Sequence, residues 1–310
     1  MSATVADAGS LFLLLLALGG EALMGEMRWL FRRVPHPRFL VGQLVDLLEP
    51  RLNRDLRGTR ARLVRGALVA VIVMVLALGA GLGVAVLTRN VPFLLPVEFL
   101  VMMSLVAQRG PHDRVAEAAK LMDRGSLLLA QEALRPVAGL GPGALDGLGL
   151  PGTVRIGALA LARAFVHGVA APCFWYVLLG LPGLCLQQAV LVMAVRLQGS
   201  ARDDPRYRDF GLAAIRLNEA LTLLPAALAA LVLGLAAIFV PKAHPVAALT
   251  GGWGRRQGPA GWPTSAMAAA LGLDQVAGPA ELDRARMLYA VACLINAGLI
   301  AALALLLLSV

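Results

Sequence analysis

Four stretches of this chain carry no Asp, Glu, Lys or Arg: residues 66–88, 164–195, 220–241 and 287–310. Each is longer than the roughly 18 apolar residues that mark a membrane-spanning helix. A buried helix of a soluble protein seldom stays uncharged for so long. Only 15% of the residues are charged, whereas soluble domains carry roughly a quarter. These features predict an all-α fold: a polytopic integral membrane helical bundle, with a cytoplasmic amphipathic helix and loops outside the bilayer.

The expected organisation is a single membrane domain over 1–310. Spans are expected at about 11–25, 66–88, 91–108, 164–195, 220–241 and 287–310. The first is short and contains Glu21. The third contains Glu98, and an ionisable group at that depth normally faces the bundle interior. Glu98 therefore reads either as a satisfied helix–helix contact or as part of a site lining. Residues 164–195 are too many for one straight helix and too few for two spans of ~20 residues. Pro172 and Gly180-Leu181-Pro182-Gly183 predict a broken helix or a hairpin there. Broken helices at membrane depth are tolerated where they are buried or line a cavity. Between spans, 112–135 repeats Val115, Ala118, Ala119, Met122 and Leu129 at helical spacing with charges between them, which predicts an amphipathic helical insert. Residues 139–152 are rich in Gly and Pro and read as a loop.

The net charge of +9 has a distinct layout. Ten arginines fall between Arg28 and Arg65, and other basic residues cluster between apolar stretches. This is the pattern of cytoplasmic loops. It places the 26–65 loop in the cytoplasm and the N-terminus outside, in a multi-pass protein of the cell inner membrane. Aromatic residues are not interleaved with the basic ones, which argues against a nucleic-acid partner. The lipid bilayer is the expected partner. Residues 1–10 hold no basic residue, so no secretory signal is read there. Cys173, Cys185 and Cys293 all lie in apolar stretches, form no CxxC, and read as small buried hydrophobes.

Familiar catalytic sets are missing: there is no HExxH, GxSxG or phosphate-cradling loop. His36 sits between two prolines in Pro35-His36-Pro37, and His167 lies inside an apolar stretch. An intramembrane His is a candidate functional group, although many serve only packing.

Several segments together carry a resemblance. They are Pro35-His36-Pro37 with Gly42, Val169-Ala170-Ala171-Pro172-Cys173-Phe174-Trp175-Tyr176, Gly180-Leu181-Pro182-Gly183 and Arg206-Tyr207-Arg208-Asp209-Phe210-Gly211. Arg216-Leu217-Asn218-Glu219, Leu223-Leu224-Pro225 and Gly261-Trp262-Pro263 with Ala266-Met267-Ala268 and Gly272 complete the set. In order and spacing they resemble the adenosylcobinamide-phosphate synthase family of cobalamin biosynthesis (CbiB/CobD-like). Phe174-Trp175-Tyr176 through Pro182-Gly183 is more weakly similar to AmpE-type membrane signalling proteins.

The resemblance implies ATP-dependent amide formation between a corrinoid carboxylate and aminopropanol or its phosphate, with ATP and Mg²⁺ as cofactors. It also implies a corrinoid substrate and possible partner proteins of cobalamin synthesis. Carried onto this chain, it suggests Arg28, Trp29, His36, Arg206, Tyr207, Arg216 and Trp262 as substrate-binding residues. Glu26, Asp209 and Glu219 are the metal candidates; no catalytic residue is assigned. The chain departs from the family pattern at polar positions. E-N-T-S-D is replaced by Arg163-Ala164-Phe165-Val166-His167, and V-N-T-L-D by Val190-Leu191-Val192-Met193-Ala194. A second reading therefore stands beside the first: a non-catalytic descendant of the scaffold, acting as a membrane partner, a corrinoid-handling protein or an AmpE-like signalling protein.

A shared site built from the loops around 196–219 and 242–286 requires both to lie on one side of the membrane. Reporter fusions at Ser200 and Gly258 are expected to give the same sidedness as one within 26–65. Opposite readings would rule out a site shared by those loops.

Overall fold

The computed structural model describes residues 7–25, 31, 33, 35–53, 58–141, 143–204, 206–251, 261–273 and 278–309, with the backbone alone at 201–203. Among them there are twelve α-helices and no strand. They are α1 (Ala8–Met24), α2 (Pro37–Leu52), α3 (Thr59–Asn90), α4 (Leu95–Leu105), α5 (Arg109–Asp123) and α6 (Leu127–Ala138), followed by α7 (Leu150–Phe165), α8 (Ala171–Asp203), α9 (Arg206–Ala236), α10 (Pro245–Gly251), α11 (Trp262–Leu271) and α12 (Pro279–Leu308).

Five stretches are long and apolar enough to cross a membrane: Thr59–Asn90, Pro92–Asp123, Leu150–Ser200, Arg206–Phe239 and Pro279–Leu308. The chain is thus an all-α multi-pass membrane protein. In the most apolar windows of α3 and α12 only 28% and 17% of residues are buried in protein, against 56% in Leu150–Ser200 and Arg206–Phe239. The last two therefore form the centre. α3 and α12 present leucine and valine to lipid, including Val75, Leu76, Leu294 and Leu299. α1 is a shorter apolar helix, N-capped by Asp7, whose Oδ1 accepts the Ser10 amide at 2.8 Å. That amide is the main reason the Asp7 carboxyl sits below its ordinary pKa.

The 164–195 segment takes the broken-helix form. α7 runs into a π-helical turn at Val166–Ala170 and then into α8, which is interrupted at Gly180. Gly180 has φ 63° and ψ −155°, a conformation essentially confined to glycine. The proline rings explain where partners must be recruited. Pro225 has no N–H, so the Leu221 carbonyl one turn earlier loses its helical donor. The Trp175 indole N–H donates to that carbonyl at 2.8 Å, joining α8 to α9.

The insert over 112–135 is two helices rather than the single one expected. Gly125, at φ 75°, ends α5. Its N–H donates to Met122 at 2.9 Å and the Ser126 N–H to Leu121 at 2.9 Å, which is the Schellman pattern. A helical periodicity carried across the turn hid this break. Residues 196–219 are also more helical than a loop, since α8 continues to Asp203 and α9 begins at Arg206.

Two apolar cores result. The larger gathers residues from α1 and α3–α12, including Leu11, Met102, Leu134, Phe165, Tyr176 and Tyr289. The smaller holds Val45, Val69, Val73, Met193 and Phe210, where α2, α3, α8 and α9 meet. α3 and α9 cross closely at Gly66, where an added Cβ would lie 1.9 Å from the Phe210 carbonyl oxygen. A Gly66→Ala variant is expected to lose about 1–3 kcal/mol, the usual range for overpacking. Gly79→Ala, with nothing within 4 Å of its new methyl, is expected to be neutral or better. Thermal unfolding of the two variants in detergent checks the difference.

Candidate functional site

The site is organised by the extended link between α4 and α5. Val106 leaves the helix with ψ 151°, and α5 begins at Arg109. The polar groups of this link are satisfied by distant elements. Glu21 of α1 accepts the Gln108 amide at 2.9 Å and the Arg109 amide at 3.2 Å. A carboxylate at a helix N-terminus completes the free amides and opposes the helix dipole. The Gln108 side chain donates to the Leu18 carbonyl at 3.0 Å, and the Tyr289 hydroxyl donates to the Gln108 carbonyl at 2.9 Å. The Ala107 amide donates to the Gly168 carbonyl at 3.0 Å. The approach is close enough that a Cβ on Gly168 would fall 2.5 Å from the Ala107 oxygen.

Pro172 helps to shape the opposite wall. In the π turn the Ala171 amide bonds the Val166 carbonyl, so the next acceptor, His167, faces a residue with no N–H. The Gln188 side-chain amide takes the His167 carbonyl at 2.8 Å. His167 also lines a cavity.

Two adjoining cavities flank the link. The smaller, about 330 Å³, is lined by Glu21, Phe31, His36, Arg38 and Ser104 among others. The larger, about 640 Å³, is lined by Arg38, Arg163, His167, Gln198, Asn218 and Glu219 among others. Arg38, Ala107 and Pro111 line both. The Arg38 guanidinium donates to the Leu105 carbonyl at 2.5 Å, so it is held at the divide by the end of α4. The His167 Nδ1 and Asn218 Oδ1 atoms are buried and have no hydrogen-bond partner among the described residues.

The sequence-predicted residues divide sharply. His36 lines the smaller cavity. It caps α2 with its Nδ1 accepting the Arg38 amide at 3.1 Å, and its ring lies 4.4 Å from that of Phe31. Glu219 lines the larger cavity and is paired with Arg216 at 2.8 Å. Arg206 is bound to Asp204 through its Nε at 2.6 Å, and Tyr207 packs against the smaller core. Asp209 lies 4.0 Å from Arg62, and Trp262 packs against the larger core at the start of α11. These four line neither cavity. Glu26, Arg28 and Trp29 fall outside the described residues. Glu98 accepts a hydrogen bond from Thr88 at 2.6 Å, the helix–helix contact of the two readings.

Arg38 and Arg163 were absent from the predicted set. Arg38 was concealed among ten arginines explained by topology. Arg163 stands four residues before His167, a spacing that puts both on one helical face.

Mg²⁺, which the family resemblance implies, needs oxygen ligands led by carboxylates. The described residues contain no group of three His, Cys, Asp or Glu side chains able to hold a metal ion. Glu219 and Asp209 each face an arginine instead. The described part of the cleft does not fit that ion, nor ATP held through it.

Fold and cleft define a polytopic helical membrane protein with a polar, arginine-bearing cavity between its central helices. The family described as CobD/Cbib protein matches residues 14–283. A cobalamin biosynthesis protein CobD of Sinorhizobium sp is 36% identical over 279 residues, covering 87% of this chain and 83% of the relative. Proteins of the same name from Rhodobacter capsulatus and Brucella anthropi are 33% identical over 268 residues and 32% over 283. They cover 86% and 87% of this chain, and 82% and 83% of their own lengths. The chain belongs to the CobD/CbiB family of cobalamin biosynthesis. No solved structure matches it.

The link's dependence on Glu21 is testable. Glu21→Ala leaves the buried Gln108 amide and the part-buried Arg109 amide without their charged acceptor, and such a hydrogen bond contributes about 1.5–3 kcal/mol. A loss of that order is expected in detergent-solubilised protein, read by thermal unfolding. Glu98→Ala, in the first turn of α4 at the end opposite the link, is expected to destabilise without altering ligand binding in the cleft.

Proposed function

We propose that this chain serves the amide-forming step of cobalamin biosynthesis, holding a corrinoid carboxylate and aminopropanol or its phosphate in the joined cavities. Family membership supports the pathway. The observation that carries the reading is the sharing of Arg38 by a larger and a smaller cavity, so that two ligands of unequal size would meet beside one guanidinium. Guanidinium binds carboxylate and phosphate through paired, charge-assisted hydrogen bonds. Fixing both reactants there would replace an encounter in solution with a step inside one complex, the main advantage such a site can offer. His36 sits in the smaller cavity as a further hydrogen-bonding group, and Arg163 with Asn218 performs the same role in the larger one. In this reading the cleft opens to the cytoplasm and the protein resides in the inner membrane, as the Arg28–Arg65 cluster suggests.

The non-catalytic reading also has a specific observation behind it: Asp209 and Glu219, the described metal candidates, are engaged by arginines in separate places. Under it the cleft would bind a corrinoid or partner without forming the amide.

Complementation separates the two. Expression in a strain lacking the synthase is expected to restore cobalamin-dependent growth, and Arg38→Ala is expected to reduce this by at least about tenfold, as loss of a charged hydrogen bond does. Failure of the well-folded wild-type protein to rescue growth would favour the non-catalytic reading.

A further inference from the structure

The larger cavity has an electrostatic character opposite to that of a metal–phosphate site. Two guanidinium groups, Arg38 and Arg163, line it. Its single lining carboxylate, Glu219, is already paired with Arg216 at 2.8 Å. Arg163 has no side-chain hydrogen-bond or ion-pair partner among the described residues, and the segment in which the family pattern carries E-N-T-S-D ends here in His167. Two of the buried polar atoms that lack a hydrogen-bond partner among the described residues, His167 Nδ1 and Asn218 Oδ1, belong to groups on this lining. Either group can present an N–H: imidazole by its choice of tautomer, the amide by a flip that exchanges O and N. A cavity that holds the Arg163 guanidinium and two unused hydrogen-bonding groups is chemically complementary to an oxyanion.

We propose that this cavity binds a phosphate or carboxylate group directly on Arg163, with Arg38, His167 and Asn218 around it, and without a bridging divalent cation. The proposal deepens the reading of the cleft as a substrate site and rests on it. It departs from the metal-dependent chemistry that the family resemblance implies. Arg163 is then the centre of the anion site, where topology alone would make it one more basic residue near a membrane surface.

The probe is inorganic pyrophosphate, measured by equilibrium binding to the purified full-length protein with neither corrinoid nor ATP present. Binding is expected to be unchanged by EDTA. Arg163→Gln is expected to weaken it by at least about tenfold, and Arg163→Lys to retain part of it. Arg208→Gln removes the same charge from an exposed position outside the cleft and is expected to leave binding as it is. Binding that appears only with added Mg²⁺ would overturn the proposal. So would equal binding by wild type and Arg163→Gln, or no binding by the wild type. Because the same chemistry suits a lipid headgroup, the measurement is repeated in nanodiscs of phosphatidylcholine with and without phosphatidylglycerol. Arg163-dependent displacement of pyrophosphate by phosphatidylglycerol assigns the anion to a headgroup; persistence of binding assigns it to a soluble ligand. Failed complementation with intact EDTA-resistant binding would remove the amide-forming role and leave the anion site standing.

Discussion

The capture of the α4–α5 link by groups from other helices is the interaction on which the rest of the structure depends. Residues 106–108 lie outside the helices between α4 and α5, in a part of the chain apolar enough to enter a bilayer. Exposed there, such backbone would be costly, because lipid supplies no hydrogen bonds. Glu21, Gly168 and Tyr289 take up its polar groups from α1, the π turn and α12. The same contacts fix the position of Arg38 through Leu105 and set the boundary between the two cavities. The buried glutamate of the short first helix therefore ties α1 to the link and to the start of α5 beside the cleft.

Much of the scaffold could be read from the residues. The uncharged stretches located the spanning helices because burial in lipid leaves a compositional mark that needs no knowledge of neighbours. Pro172 and the Gly180–Gly183 run located the breaks in the central helix because both act on the local backbone. The Gly125 turn was missed: Leu129 continued the apolar spacing of Val115–Met122 past it, so periodicity spoke for one helix while the left-handed turn made two. A rule based on side-chain spacing cannot see a change of axis when the next helix packs on the same core.

The cleft was much less legible. Candidate residues taken from matching motifs, such as Arg206, Tyr207 and Trp262, are mostly engaged in packing or local ion pairs. At these positions the matching residues stand at helix starts, Arg206 and Tyr207 at that of α9 and Trp262 at that of α11. Arg38 and Arg163 reach the cleft because two distant helices, α2 and α7, place them there, and no short pattern in the sequence records that convergence. Their charge was also ambiguous, since a membrane protein needs arginines near its ends for orientation alone.

The two central prolines give the scaffold a further property. Pro225 releases the Leu221 carbonyl, which Trp175 then claims; Pro172 leaves the His167 carbonyl to Gln188. Each proline and its distant donor form a matched pair. Changing Trp175 or Gln188 alone strands a buried acceptor. Restoring an N–H at 225 or 172 alone puts two donors in competition for one carbonyl. Such positions favour joint replacement over stepwise change, so descendants of this fold can lose the chemistry of the cleft more readily than they can lose the kinks that surround it.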